Sequence, residues 1–176
     1  MSEEQGKIST LISEERLQER IATLGKEIRT AYGDAPITCI CVLKGSFLFM
    51  ADLIRAIGGD VYCEFLGVAS YHGGTHSSGA VQITQDLRTP IEGRHVLIVE
   101  DIVDTGRTLS YLVELLRVRQ PTTLKIATLL DKPSNRVVDV DVDFIGFEIP
   151  DEFVIGYGLD LGELYRNLPY IGIYQP

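Results

Sequence analysis

The sequence predicts an α/β fold, a mainly parallel twisted sheet flanked by helices, and three observations carry that expectation. Short apolar, β-branched runs recur along the chain: Ile37–Leu43, Val61–Ser70, Val96–Val99, Leu124–Leu130 and Val142–Phe147. Their length and composition suit buried parallel strands. Other segments carry apolar residues at helical spacing, as in Leu109, Leu112, Val113 and Leu116. Glycine-containing turns such as Gly33-Asp34-Ala35-Pro36, Lys44-Gly45-Ser46 and Gly58-Gly59 separate the two kinds of segment. Strands alternating with helices make a mainly parallel sheet covered on both faces.

Taken in order, Met1–Lys7 is polar and reads as a frayed start. Ser13 is placed to cap a helix whose apolar stripe is Leu17, Ile21, Leu24 and Ile28. The strand Ile37–Leu43 then turns at Lys44-Gly45-Ser46 into a second helix, Phe47 to about Ile57, which Gly58-Gly59 stops. After the strand Val61–Ser70, the stretch Tyr71–Gly79 is glycine-rich, polar and without periodicity. It predicts a mobile loop over about 70–84, with Val81–Thr84 a returning strand. The third strand–helix unit follows, then strands at Leu124–Leu130 and Val142–Phe147, a short one at Phe153–Gly156 and a last one near Tyr170–Tyr174. No repeat or low-complexity segment divides the chain, so residues 1–176 read as one domain.

Hydrophobic content of 45% and charged content of 23% are those of a globular protein with a substantial core. A net charge of −9 argues against a general nucleic-acid or membrane-surface binder. It leaves room for a small anion, because a local nest and a metal ion outweigh a global charge. Cys39 and Cys41 share a strand face without further metal ligands and read as buried reduced thiols, which fits a cytoplasmic protein. No apolar run reaches membrane-span length, and the polar start lacks a signal-peptide core.

The stretch Val96–Thr108, VLIVEDIVDTGRT, is the most informative. An apolar strand runs to adjacent carboxylates, Glu100 and Asp101. Asp104 then leads into Thr105-Gly106-Arg107-Thr108 and a helix. A helix start offers unpaired backbone N–H groups to an anion. Three acids beside that nest would repel a phosphate unless a divalent cation or a sugar lay between. The plainer reading makes Asp104 and Thr105 helix caps and Glu100-Asp101 a surface strand end.

The segment closely resembles the phosphoribosyl-pyrophosphate signature of type I phosphoribosyltransferases. Three further segments resemble the hypoxanthine-guanine branch of that family: Leu43-Lys44-Gly45-Ser46 with Ala51-Asp52-Leu53, then Leu129–Arg136, then Phe153–Asp160 with Arg166. With Ser70-Tyr71 the likeness runs from about Leu43 to the carboxyl end. Each piece alone has an ordinary alternative: Lys44 a turn lysine, Phe153 core, Lys132 and Arg136 solvated, Asp160 the start of a turn. Arg107 stands where many relatives carry lysine, and Gly158 where others have a larger residue.

The resemblance implies the type I phosphoribosyltransferase fold, with a small hood formed by the terminal segments. It implies phosphoribosyl transfer from phosphoribosyl pyrophosphate to a 6-oxopurine in purine salvage, giving a purine nucleoside monophosphate and pyrophosphate. By the same resemblance, Asp104, Thr105, Gly106, Arg107 and Thr108 hold the 5′-phosphate. Glu100, Asp101 and Asp160 hold Mg²⁺. Lys44, Gly45, Arg136 and Arg166 meet pyrophosphate, and Ser70 and Tyr71 begin a lid. Lys132, Phe153, Val154 and Asp160 form the purine site, with Asp104 the catalytic acid or base. The resemblance further implies a cis Leu43–Lys44 peptide and a homodimer or homotetramer. A nucleotide-sensing, RNA-binding regulator on the same fold and a xanthine-preferring transferase are the alternatives, the first disfavoured by the acidic charge. His72 and His76, four apart in a glycine-rich loop, do not read as a metal pair.

Overall fold

In the computed structural model, residues 6–70 and 81–176 are described. Among them nine strands and three α-helices follow one another as β1 (Lys7–Ile12), α1 (Glu14–Tyr32), β2 (Ile37–Leu43), α2 (Phe47–Ile57), β3 (Val61–Ser70), β4 (Val81–Gln85), β5 (His95–Val103), α3 (Arg107–Arg117), β6 (Thr123–Asp131), β7 (Phe144–Glu148), β8 (Val154–Ile155) and β9 (Ile171–Gln175). A six-stranded sheet has the order β4-β3-β2-β5-β6-β7. Its neighbours pair in parallel except β4, which runs antiparallel to β3. A second sheet, β1-β9-β8, is antiparallel and joins the amino-terminal strand to the two carboxyl-terminal ones. This is the hood.

Strand alternation divides the core between the two faces of the large sheet. Cys39, Cys41, Leu97, Val99, Ala127 and Leu129 pack with α1 and α2. Ile40, Val42, Val96, Ile98 and Ile126 pack under α3. The predicted stripes are the buried faces: Leu17, Ile21, Leu24 and Ile28 on α1, and Leu109, Leu112, Val113 and Leu116 on α3. Each such leucine or isoleucine contributes about 1.5–3 kcal/mol by leaving water. Gly25 lets α1 approach α2, since a methyl there would lie 2.6 Å from Ala56. Ser13 caps α1, its hydroxyl accepting from the Arg16 N–H. Cys39 and Cys41 are buried free thiols, pushed up to about 12 and about 11 mainly by burial, and Cys63 is exposed.

Three elements depart from the sequence expectation. The frayed start is strand from Lys7 onward; it lies on the hood with little of its surface buried and a bulge near Ile12, so it shows no apolar alternation. β5 continues past Val99 because its pairing with β6 persists to Val103 opposite Asp131. β7 starts at Phe144 rather than Val142, since Asp143 bonds the start of β6 instead, its carboxylate accepting the Ile126 N–H. The expected returning strand at Val81–Thr84 is β4, which extends to Gln85. Residues 71–80, with Tyr71, His72 and His76, lie outside the described residues.

The chain passes from β2 to β3 on one side and returns to β5 on the other, so the sheet's switch point lies between β2 and β5. Ligands of open α/β sheets bind at the carboxyl ends of strands beside such a point. The turns after β2 and β5 meet there.

Candidate active site

The turn after β5 holds its shape through backbone bonds. The Thr105 carbonyl accepts from the N–H groups of Val137 and Val138, at 2.9 and 3.0 Å. Gly106 has φ +83°, and a methyl there would lie 2.3 Å from the Val138 carbonyl oxygen, so both its conformation and the space require glycine. Gly106 is also the N-cap of α3 and has no side chain to cap it, while the Thr105 hydroxyl accepts the Arg107 N–H in a long bond of 3.5 Å. Asp104 therefore does not cap the helix, and Thr105 serves its start only through that one long bond. The first N–H groups of α3 stay available to an anion. Glu100, Val103, Asp104, Thr105, Gly106 and Thr108 line a cavity of about 100 Å³ against this helix start. At ~30 Å³ per water, that is space for a group the size of a phosphate.

A second cavity of about 420 Å³ shares Glu100, Ile102 and Thr108 with the first. Its other walls come from distant parts of the chain: Lys44 and Gly45 before α2, Asp101 on β5, and Asp160 and Arg166 near the carboxyl end. The Leu43–Lys44 peptide is cis. Gly45 faces Asp101 so closely that a methyl would lie 1.7 Å from the Oδ2 atom. Gly158, at φ +101°, sits against the Gly45 carbonyl, and a side chain there would lie 2.0 Å from that oxygen. A larger residue at 158 does not fit this backbone.

Glu100 and Asp101 are an unusual pair to bury. Burial pushes the Glu100 carboxyl well above the ordinary glutamate range, and the neighbouring Asp101 charge adds to it. Burial raises Asp101 as well, partly offset by the Ile102 N–H that its carboxylate accepts at 2.8 Å and by Arg166. Two adjacent acids, Glu100 buried and Asp101 half-buried, without a full counter-charge suit a divalent cation. Among the described residues no three His, Cys, Asp or Glu side chains stand close enough to cage an ion. That donor set fits Mg²⁺, which keeps several waters and takes one or two carboxylates plus substrate oxygens. Asp160 shares their cavity, but its carboxylate pairs with Arg166 at 3.1 Å and accepts the Glu163 N–H at 2.8 Å. It starts a turn and faces the cavity at once.

Arg136 and Lys132 are not solvated loop charges. Arg136 is bonded to the buried Asp131 and packs its side chain beside Gly106. Lys132 is only 6% exposed, with its ammonium 3.5 Å from Asp151 and its N–H donated to the Val103 carbonyl at 2.9 Å. Phe153 is 52% exposed, an edge-on neighbour of Tyr174 rather than core. Val154, on β8, pairs with Ile173 in the hood. Ser70 ends β3 opposite Val81. Lys44, 67% exposed at its side chain, pairs with Glu163 at 2.8 Å.

One regularity ties these residues together. Among the described residues, the buried side-chain polar atoms lacking any hydrogen-bond partner are Asp104 Oδ1, Arg136 Nη1 and Arg166 Nε. Native proteins satisfy nearly all such atoms, and an unsatisfied one costs about 1–3 kcal/mol. All three belong to residues that the sequence singled out. The partners of the cations escaped sequence reading: Asp131, Asp151 and Glu163. For Glu163 a signal existed, the three-residue spacing from Asp160 through Glu163 to Arg166.

A sequence model of the phosphoribosyl transferase domain matches residues 10–161. The hypoxanthine-guanine phosphoribosyltransferase of Bacillus subtilis is 55% identical over 166 residues, covering 94% of this chain and 92% of that protein. A hypoxanthine phosphoribosyltransferase crystal structure from Staphylococcus aureus superposes with a TM-score of 0.91 at 49% identity, covering 96% of this chain and 91% of that one. A hypoxanthine-guanine phosphoribosyltransferase structure from Bacillus anthracis, with a HEPES molecule in its active site, gives 0.90 at 47% identity over 94% and 97%. The chain belongs to the phosphoribosyltransferase family, as an enzyme of its hypoxanthine-guanine branch. No described helix is long and apolar enough to cross a membrane.

Proposed function

We propose that the protein transfers the phosphoribosyl group of phosphoribosyl pyrophosphate to hypoxanthine, guanine or both, in a Mg²⁺-dependent reaction of purine salvage. A bond forms between a purine nitrogen and C1 of the ribose, the C1–oxygen bond to pyrophosphate breaks, and the purine gives up a proton. The products are IMP or GMP and pyrophosphate. The observation that carries this reading is the set of buried, unpaired polar atoms on Asp104 and Arg166, which line two adjoining cavities, and on Arg136, which packs beside Gly106 of the smaller one. Such atoms are kept unsatisfied where a ligand completes them.

In this reading the free N–H groups at the start of α3, with Thr105, Gly106, Arg107 and Thr108, hold the 5′-phosphate. Glu100 and Asp101 face the ribose hydroxyls and the cation, with Asp160 beside them. Bound Mg²⁺ supplies charge neutralisation of pyrophosphate. Lys44, Gly45 and Arg166 orient the pyrophosphate, the arginine through its planar fork. Arg136 takes part through its free Nη1 while its other arm stays on Asp131. Asp104, with Oδ1 unbonded, manages the proton at purine N7. Lys132 donates to the exocyclic O6, Phe153 stacks on the base, and the Val154 backbone reads its edge. Ser70 and Tyr71 begin the cover that keeps water from the reacting carbon. Buried thiols at Cys39 and Cys41 support a reducing cytoplasmic setting, and the family likeness supports a homodimer or homotetramer.

The test is direct. The purified protein, Mg²⁺ and phosphoribosyl pyrophosphate are incubated separately with hypoxanthine, guanine, xanthine and adenine, and nucleotide and pyrophosphate are quantified by chromatography. Equimolar IMP and pyrophosphate from hypoxanthine, or GMP and pyrophosphate from guanine, is the expected outcome. Faster use of xanthine would reassign the base, and no nucleotide from any of them would overturn the reading.

A further inference from the structure

Glu163 stands where the substrate's own negative charge belongs. Its carboxylate accepts from Lys44 Nζ at 2.8 Å and from an Arg166 Nη at 3.0 Å, and so bridges both cations on the second cavity. Those hydrogen bonds hold the Glu163 carboxyl below the ordinary glutamate range, as an ionised anion. Asp160 adds a second negative charge on Arg166. Among the described residues the two cations are thus matched by two acids, and the pocket offers an incoming polyanion no spare positive charge.

The two acids are anchored differently. Asp160 is largely buried and its carboxylate also accepts the Glu163 N–H. The Glu163 backbone is fixed by that bond and by the tight turn in which Leu161 and Leu164 exchange hydrogen bonds. Its φ is +70°, a region that a non-glycine residue keeps only when its surroundings impose it. The side chain, by contrast, is 64% exposed, and so is most of the Lys44 side chain it holds. An ion pair between exposed side chains is weak and its partners separate into water at little cost. Glu163 therefore has a fixed root and a releasable head.

The geometry points to Glu163 as a displaceable anion that occupies Lys44 and Arg166 in the free enzyme and yields them to the pyrophosphate group. It is a positioning residue. It parks the two cations in the cavity between turnovers, and it weakens pyrophosphate binding by the strength of the pairs that must break. Since pyrophosphate is the leaving group under the function proposed above, the same competition speeds its departure. This inference rests on that reading of Lys44 and Arg166. A mere structural brace makes the opposite prediction: removing it would misplace the cations and weaken the ligand.

Calorimetric titration with magnesium pyrophosphate separates the two, using the full chain and the variants Glu163→Gln, Lys44→Met and the double variant. Glu163→Gln should tighten pyrophosphate about two- to fivefold, the range set by the exposed Lys44–Glu163 pair with its half-buried arm on Arg166. The KM for phosphoribosyl pyrophosphate should fall in parallel. In the Lys44→Met background the same substitution should have a clearly smaller effect. Glu163→Asp, charged but too short to bridge both cations, should behave like Glu163→Gln. A Kd that rises or stays unchanged in Glu163→Gln overturns the inference while leaving the proposed function intact. Lys44→Met binding pyrophosphate as tightly as the parent would instead remove Lys44 from the pyrophosphate site, and with it the premise.

Discussion

The two cavities at the carboxyl ends of the strands are built on opposite plans. The smaller is lined by residues from 100 to 109, one continuous strand, turn and helix start. Its key polar groups are left open: α3 has no side-chain cap, and Asp104 keeps a buried oxygen unbonded. The larger gathers residues near 44, 68, 101, 160 and 166, and its cations are already paired to acids of the chain. The first is preorganised and waits for its ligand. The second is neutralised in advance and must exchange internal partners for external ones. A site that grips a phosphate throughout and releases pyrophosphate every cycle has use for both plans.

The strongest way to break this comparison is to remove the cation. Glu100 lies on the seam between the cavities and Asp101 beside it on the larger one, with burial raising both carboxyls. Excess chelator should abolish nucleotide formation, and added Mg²⁺ should restore it, in a continuous absorbance assay. Undiminished turnover after exhaustive chelation would give these carboxylates another task.

Asp104→Asn attacks the preorganised side. The change is isosteric and the Oδ1 atom makes no bond in the protein, so the fold should survive with its melting temperature little changed. Turnover under conditions limited by chemistry should fall by about 10²–10⁴, the usual weight of general acid–base help. Turnover within about twofold of the parent would return Asp104 to a structural role.

How much was legible in the sequence follows the same division. The strand, turn and helix around Glu100–Thr108 were readable because function and local folding use the same adjacent residues. The strands β2, β3 and β6 and the helix stripes were readable because burial on one or both faces leaves a periodic record. β1 was not: a partly covered hood strand records little in its side chains. Nor were the pairs Arg136–Asp131, Lys132–Asp151 and Lys44–Glu163, which depend on how separate turns approach each other. Sequence showed the cations of the site, and only the fold showed what occupies them.

Lys132→Ala sharpens the comparison at the base. Lys132 is buried beside the end of β5, and among the described residues its ionic partner is the exposed Asp151 alone. A charge-assisted hydrogen bond contributes about 1.5–3 kcal/mol. The substitution should therefore lower kcat/KM for hypoxanthine and guanine by roughly 10- to 100-fold, and raise the relative acceptance of adenine, whose 6-amino group is itself a donor. Values within about twofold for all three bases would show that Lys132 supports the turn and does not read the base.

The smallest effect, and the one that isolates the cost of the seam, is on stability. In the unfolded chain Glu100 ionises near the ordinary value of 4.5, whereas in the folded, metal-free protein burial and the Asp101 charge hold its proton to higher pH. Between those two points the folded state binds more protons than the unfolded one, so stability falls as pH rises. The contribution is fully present below about 4.5 and is lost as pH passes through the folded-state value. Glu100→Gln removes the titration. In chelator the variant should melt higher than the parent at neutral pH, and the two should converge in acid. With Mg²⁺ and pyrophosphate present the order should narrow or reverse, because a ligand that binds only the folded parent stabilises it by mass action. Parallel melting curves across the whole pH range, with and without the cation, would mean that the buried carboxylate carries no such cost and that the seam needs no cation to relieve it.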